Sequence, residues 1–225
     1  MEERRKRSNG MNEIVFPKNT EKAKQMAAYM KNLFPFAGVT APERATVEKE
    51  LLKISKKMPF TKLLDLVRFY YQKPEREYQY LAIDLATVNV KRFSFEEMIC
   101  FKPFVITKAW WDSVDAWRKF FGLWGAHHFE EMPQLFAAFF GEEDFWHRRI
   151  AINLQLLYKE KTNTVLLKKA IIYDKTTDEF FIQKAIGWSL RQYSKTDPDW
   201  VKTLIETTKL SPLAIREGSK YLPKS

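Results

Sequence analysis

One cysteine, Cys100, stands in 225 residues, which excludes an internal disulfide framework and a cysteine-rich zinc site. Glycine is scarce, at seven residues, and regular apolar/polar alternation, the mark of half-buried strands, is almost missing. No apolar run reaches the roughly 18 residues that a bilayer-spanning helix requires. The N-terminal Met1-Glu-Glu-Arg-Arg-Lys-Arg-Ser-Asn-Gly10 is charged with no apolar stretch behind it. It is therefore not a secretory signal, and a cytoplasmic setting is the simplest expectation. Walker, Gly-x-Ser-x-Gly and dinucleotide fingerprints are all lacking. His127-His128 with Glu130 and Glu131 lacks metalloprotease spacing, so no metal is expected. Gly122-Leu-Trp-Gly125 reads as a helix-ending turn, not a phosphate loop.

What is present points to an ordered, basic, helical protein. Hydrophobic residues make up 45% and aromatics 15%, far from a disordered composition. A net charge of +10 and pI near 9.5 call for an anionic partner: nucleic acid, a phosphate-rich ligand or a membrane surface. The ten prolines mostly precede apolar-periodic runs, where helices start. The class is all-α.

Residues 1–19 read as a basic, weakly ordered N-terminal arm, which Ile14-Val15-Phe16 can tack onto the body and in which Pro17 stops a helix. Residues 20–225 read as a single helical-repeat domain. Thr20 is the expected N-cap of a helix turning Ala23, Met26, Ala27, Met30 and Leu33-Phe34 inward. Thr40-Ala-Pro42-Glu opens the next, through about Lys57. Further starts fall at Pro59, at Pro74-Glu75 and at Ser94-Phe-Glu-Glu97, which resembles a capping box. Later helices are expected over about 108–122, 131–140, 144–159, 163–173, 178–195, 198–208 and 211–222, with Asp197-Pro198 and Ser211-Pro212 as cap signals. Eleven or twelve helices on short turns suit a curved α-solenoid of antiparallel pairs. A globular bundle has the same periodicity.

Three stretches could carry chemistry. In Lys108-Ala-Trp-Trp-Asp-Ser-Val-Asp-Ala-Trp-Arg118, read as one helix, Trp111 and Asp115 lie one turn apart on one face. Asp115 is either a solvated partner of Arg118 or Lys119, or a carboxylate placed beside an aromatic platform. In the second stretch Trp146, Arg149 and Asn153 share a face. A guanidinium beside an indole can bind phosphate, unless Arg149 simply pairs with Glu142, Glu143 or Asp144. In the third, Lys184, Trp188 and Arg191 share a face, and Gly187 inside a helix implies close approach by a helix or a ligand. Any one of these tryptophans alone is more often core than platform.

Together they form a pattern. Trp110-Trp-Asp-Ser-Val-Asp115, then Trp146-x-x-Arg149 followed by Ala151-Ile152 and Leu154-Gln155-Leu156, then Phe180-Phe-Ile-Gln-Lys-Ala-Ile-Gly-Trp188, resemble the bacterial AlkD family of HEAT-like-repeat DNA glycosylases. Ala28-Tyr-Met-Lys-Asn32, Pro42-Glu-Arg44, Pro74-Glu-Arg-Glu77 and Leu210-Ser-Pro-Leu-x-x-Arg-Glu217 support it, and the likeness spans about 20–222. The resemblance implies a groove that cradles double-stranded DNA and excision of N3- or N7-alkylated purines. It implies Asp115 as the catalytic carboxylate, with Trp111, Arg149 and Trp188 facing the lesion, Arg149 holding the neighbouring phosphate, and Tyr29 as a further DNA-facing aromatic. Arg148, Lys184 and Arg191 would serve the DNA backbone, and the protein would act as a monomer in the bacterial cytoplasm, nucleoid-associated when bound. No metal and no cofactor are expected, and because an alkylated purine already carries positive charge in the nucleotide, it leaves without needing a general acid. The resemblance also implies an additional amphipathic helix ahead of Glu21–Asn32, where Met11–Asn19 stands instead. If that helix grips DNA, the alternative is a non-catalytic member that binds distorted or branched DNA. A protein-scaffold role would call for neither the charge nor the Trp/Asp/Arg cluster.

Overall fold

A computed structural model describes residues 13–223. Among these residues all regular structure is helical: twelve α-helices and short 3-10 turns, with no strand. The basic Met1–Gly10 stretch lies outside the described residues. The chain packs as two compact units that divide between Val88 and Asn89.

The first unit holds α1 (Thr20–Tyr29), α2 (Ala41–Ser55), α3 (Phe60–Gln72) and α4 (Arg76–Thr87). Ahead of α1 the chain is non-helical from Glu13 to Asn19. Its Ile14 N–H donates to Tyr70 Oη at 3.0 Å, and the buried Phe16 ring lies 4.9 Å from that of Tyr78. Asn19, not Thr20, is the N-cap of α1: its side-chain oxygen accepts from Lys22 N–H at 3.0 Å. The helix contributes no buried side chain; Met30 is buried just beyond it, and Leu33, expected inward, is half exposed. At α2, Glu43 Oε2 accepts from both the backbone and the hydroxyl of Thr40, each at 2.8 Å. Helices α3 and α4 pack as a hairpin whose core includes Leu63, Val67, Tyr70, Leu81 and Leu85.

The second unit holds α5 (Phe95–Ile99), α6 (Trp111–His127), α7 (Met132–Ala137), α8 (Phe145–Asn153), α9 (Thr164–Asp174), α10 (Phe180–Tyr193), α11 (Pro198–Thr207) and α12 (Pro212–Gly218). Its heart is aromatic: Phe93, Phe101, Trp117, Phe120, Phe121, Trp124 and Phe139 are all but fully buried. The caps read from sequence are present. Ser94 and Glu97 exchange hydrogen bonds at α5, Asp197 accepts from Trp200 N–H, and Ser211 from Ala214 N–H.

Three boundaries differ from the periodic reading. Helix α6 starts at Trp111, because Trp110 is extended (φ −156°, ψ 165°) and Lys108 is left-handed (φ 49°). It then continues through Gly122-Leu-Trp-Gly125 instead of ending there. The physical reason is packing. A Cβ at Gly122 would stand 2.7 Å from Leu154 O, and one at Gly125 would stand 2.5 Å from Tyr158 Oη. These glycines admit the chain that follows α8; they do not break the helix. Helix α8 itself closes at Asn153, short of the expected 159.

Candidate active site

Helix α6 carries Trp111, Asp115 and Arg118 at spacings of four and three, which puts all three on one face. Helix α8 packs against both α6 and α10, so Arg149 of α8 lies between them. Its Nε donates to Asp115 Oδ1 and its Nη2 to Asp115 Oδ2, both at 3.0 Å. This is a two-pronged guanidinium–carboxylate pair, the geometry that fixes both groups most firmly. Nη1 of Arg149 donates to Phe181 O at 2.6 Å and so ties the pair to the first turn of α10. The Arg149 side chain is 6% exposed and that of Asp115 22%, so the carboxylate forms the solvent-facing edge of the pair. Asp115 is thus neither a lone surface acid nor a partner of Lys119, and Arg149 is not taken up by Glu142, Glu143 or Asp144.

Aromatic rings surround the pair. The Arg149 guanidinium carbon lies 6.0 Å from the Trp188 ring centre and 5.9 Å from that of Phe181. Arg118 lies 5.5 Å from the same Trp188 ring. Trp188 and Trp111 are both half-buried. Trp110, Trp146 and Phe181 form a neighbouring cluster with ring centres 4.9–6.2 Å apart, Trp110 edge-to-face with both of the others. Trp146 is buried in that cluster. Gly187, within α10, leaves room for α12, since a Cβ there would stand 2.5 Å from Glu217 Cβ.

The other expected residues fall elsewhere. Arg148 points to structure: Nε donates to Asp174 at 3.1 Å, and Nη1 to the carbonyls of Glu142 and Glu143 at 2.7 and 2.6 Å. Lys184 and Arg191 both bond Glu217, each at 3.1 Å. Tyr29, at the end of α1 in the first unit, is 71% exposed. His128 stacks on Trp124, ring centres 4.3 Å apart, and no group of metal-ligating side chains occurs among the described residues. A cavity of about 220 Å3, lined by Gln155, Tyr193 and Lys195 among others, includes none of the Asp115 cluster.

Sequence reasoning missed Arg118 as a member of this site and the Phe181 carbonyl as its anchor. The first had a signal, because Arg118 follows Trp111 and Asp115 at helical spacing. A backbone carbonyl leaves none.

A family model described as DNA alkylation repair enzyme matches residues 14–222. The chain belongs to that family. It is 64% identical to a solved structure described as a predicted DNA alkylation repair enzyme from Enterococcus faecalis, with a TM-score of 0.93 over 95% of this chain and 100% of that one. Two Streptococcus mutans structures, AlkD2 and smu.31, share 20% and 19% identity at TM-scores of 0.66 and 0.65. Each is covered in full by 90% of this chain. At that identity they speak for the fold: the all-α, HEAT-like helix pairs of AlkD-type proteins. A search of curated proteins gives no match. A DNA alkylation repair role follows from the family, and no described helix is long and apolar enough to cross a membrane.

Proposed function

We propose that this protein is a monofunctional alkylpurine DNA glycosylase, which binds duplex DNA and hydrolyses the N-glycosidic bond of N3- and N7-alkylated purines. The observation that carries this reading is the Asp115 carboxylate, left partly open to solvent and clamped by Arg149, whose guanidinium lies 6.0 Å from the Trp188 ring centre. An alkylated purine already bears positive charge, so the C1′–N9 bond breaks with its electron pair passing to the base, and no general acid is required. What remains is the cationic sugar. A fixed carboxylate stabilises that developing charge, orients the attacking water and takes its proton. Indole faces at Trp111 and Trp188 add attraction for the cationic base or sugar. The net charge of +10 supplies affinity for the phosphate backbone. The enzyme would act as a monomer in the bacterial cytoplasm, and Tyr29 is proposed to meet DNA from its own unit.

Release of N3-methyladenine and N7-methylguanine from methylated duplex DNA tests the proposal. Wild type is expected to release both, and Asp115→Asn is expected to lose roughly a hundredfold or more in rate, the scale of removing one positioned catalytic group. DNA binding without release above the Asp115→Asn level would instead favour a non-catalytic member that recognises distorted or branched DNA.

A further inference from the structure

Arg118 is the one guanidinium of this cluster with nothing to hold. The residue is 9% exposed, its Nε is buried without a hydrogen-bond partner, and its contact is with the face of Trp188. Arg149, by contrast, has its fork filled by Asp115 and a third donor on Phe181 O. Burial pulls the pKa of Arg118 below its ordinary value; Asp115 opposes that shift and the charge of Arg149 adds to it. Two guanidiniums therefore face one carboxylate, and the surplus charge lies on the unpaired one. A buried charged donor without an acceptor is unfavourable unless a ligand completes it.

We propose that Arg118 is a phosphate ligand of this site: its free fork receives a phosphodiester of the DNA backbone while its guanidinium rests on Trp188. Arg149 meanwhile holds Asp115 in place. The planar fork of Arg118 suits two phosphate oxygens at once, and a phosphate there sits within the same cluster as the Asp115 carboxylate. The inference rests on the DNA-binding half of the function proposed above and not on excision.

Equilibrium binding of undamaged duplex DNA, measured by fluorescence anisotropy over a salt series, tests it. Each phosphate contact contributes about 0.9 to the slope of log K against log salt. Arg118→Met is expected to weaken binding about tenfold and to lower the slope by about one. Arg118→Lys keeps the charge but not the fork, so it is expected to keep the slope and to lose about threefold or more in affinity. Circular dichroism identifies a variant that fails to fold; if Arg118→Met does, Arg118→Lys decides. Unchanged affinity in a folded variant overturns the proposal while leaving DNA binding intact, whereas absence of duplex binding by wild type overturns both. Melting in inorganic phosphate against chloride at equal ionic strength separates the two sources of phosphate. A phosphate-induced rise in Tm that Arg118→Lys abolishes, with its DNA affinity unchanged, assigns the site to free phosphate and overturns the backbone assignment.

Discussion

Glu77 shows what single residues do that spacing cannot reveal. Its carboxylate is fully buried and accepts from the backbone N–H groups of Ala37, Gly38 and Val39 at 2.9, 2.9 and 3.0 Å. Beside it the fully buried Arg76 stacks on Phe34 at 3.9 Å. The Pro74-Glu-Arg-Glu77 string that helped mark the family is thus structural: it ties the α1–α2 connection to α4. Glu77→Ala would leave three buried donors without an acceptor, at a cost on the order of 3 kcal/mol or more. Urea denaturation checks this, and a loss below about 1 kcal/mol would mean the loop finds other acceptors. The Asp115–Arg149 pair makes the same point. Both residue types were legible, but their mutual partnership joins helices 34 positions apart. Local sequence offered each of them only nearby partners.

At the scale of elements, polar starts were easier to read than apolar ends. Thr40, Ser94, Asp197 and Ser211 announce α2, α5, α11 and α12, because a cap is a local hydrogen bond between near neighbours. The run of α6 through two glycines was not legible, since its cause is the carbonyl of Leu154, outside the helix. The start of α6 is hidden for a related reason: nothing in Lys108-Ala-Trp forbids helix, yet the backbone is left-handed at Lys108 and extended at Trp110. Gly122→Ala follows as a test. Helix propensity alone would favour alanine by about 1 kcal/mol. The added methyl instead meets a backbone carbonyl 2.7 Å away that cannot swing aside. A net destabilisation of about 1–3 kcal/mol is expected, read as a lower Tm. A higher Tm would show that the chain after α8 can retreat at no cost.

At the scale of the molecule, two packed units raise the question of whether they melt together, and the titrating groups give a way to ask. In the first unit Glu48 is buried against Arg44 at 2.8 Å, and Asp84 shares that guanidinium at 2.6 Å. Burial pushes the Glu48 pKa up to about 7; Arg44 pulls it down without prevailing, and Asp84 adds to the rise. Between its ordinary 4.5 and about 7 the native state therefore holds a proton that the unfolded chain has lost, so stability falls as pH rises. In the second unit burial holds the His147 pKa below its ordinary 6.5. There the unfolded chain binds the extra proton, and stability rises with pH up to about 6.5. The carboxylates with depressed pKa values, Glu43 at about 2 and also Glu96, Glu142 and Glu217, are ionised in both states above about pH 5 and do not contribute in this window. Calorimetry at about pH 5 and about pH 7 is then expected to move the two units in opposite directions, so the melting profile narrows or splits with pH. Glu48→Gln is expected to flatten the first unit's response and leave the second unit's rise exposed. If Glu48→Gln melts with the same pH dependence as wild type, Glu48 does not retain its proton in the folded chain and the opposition between the units is lost.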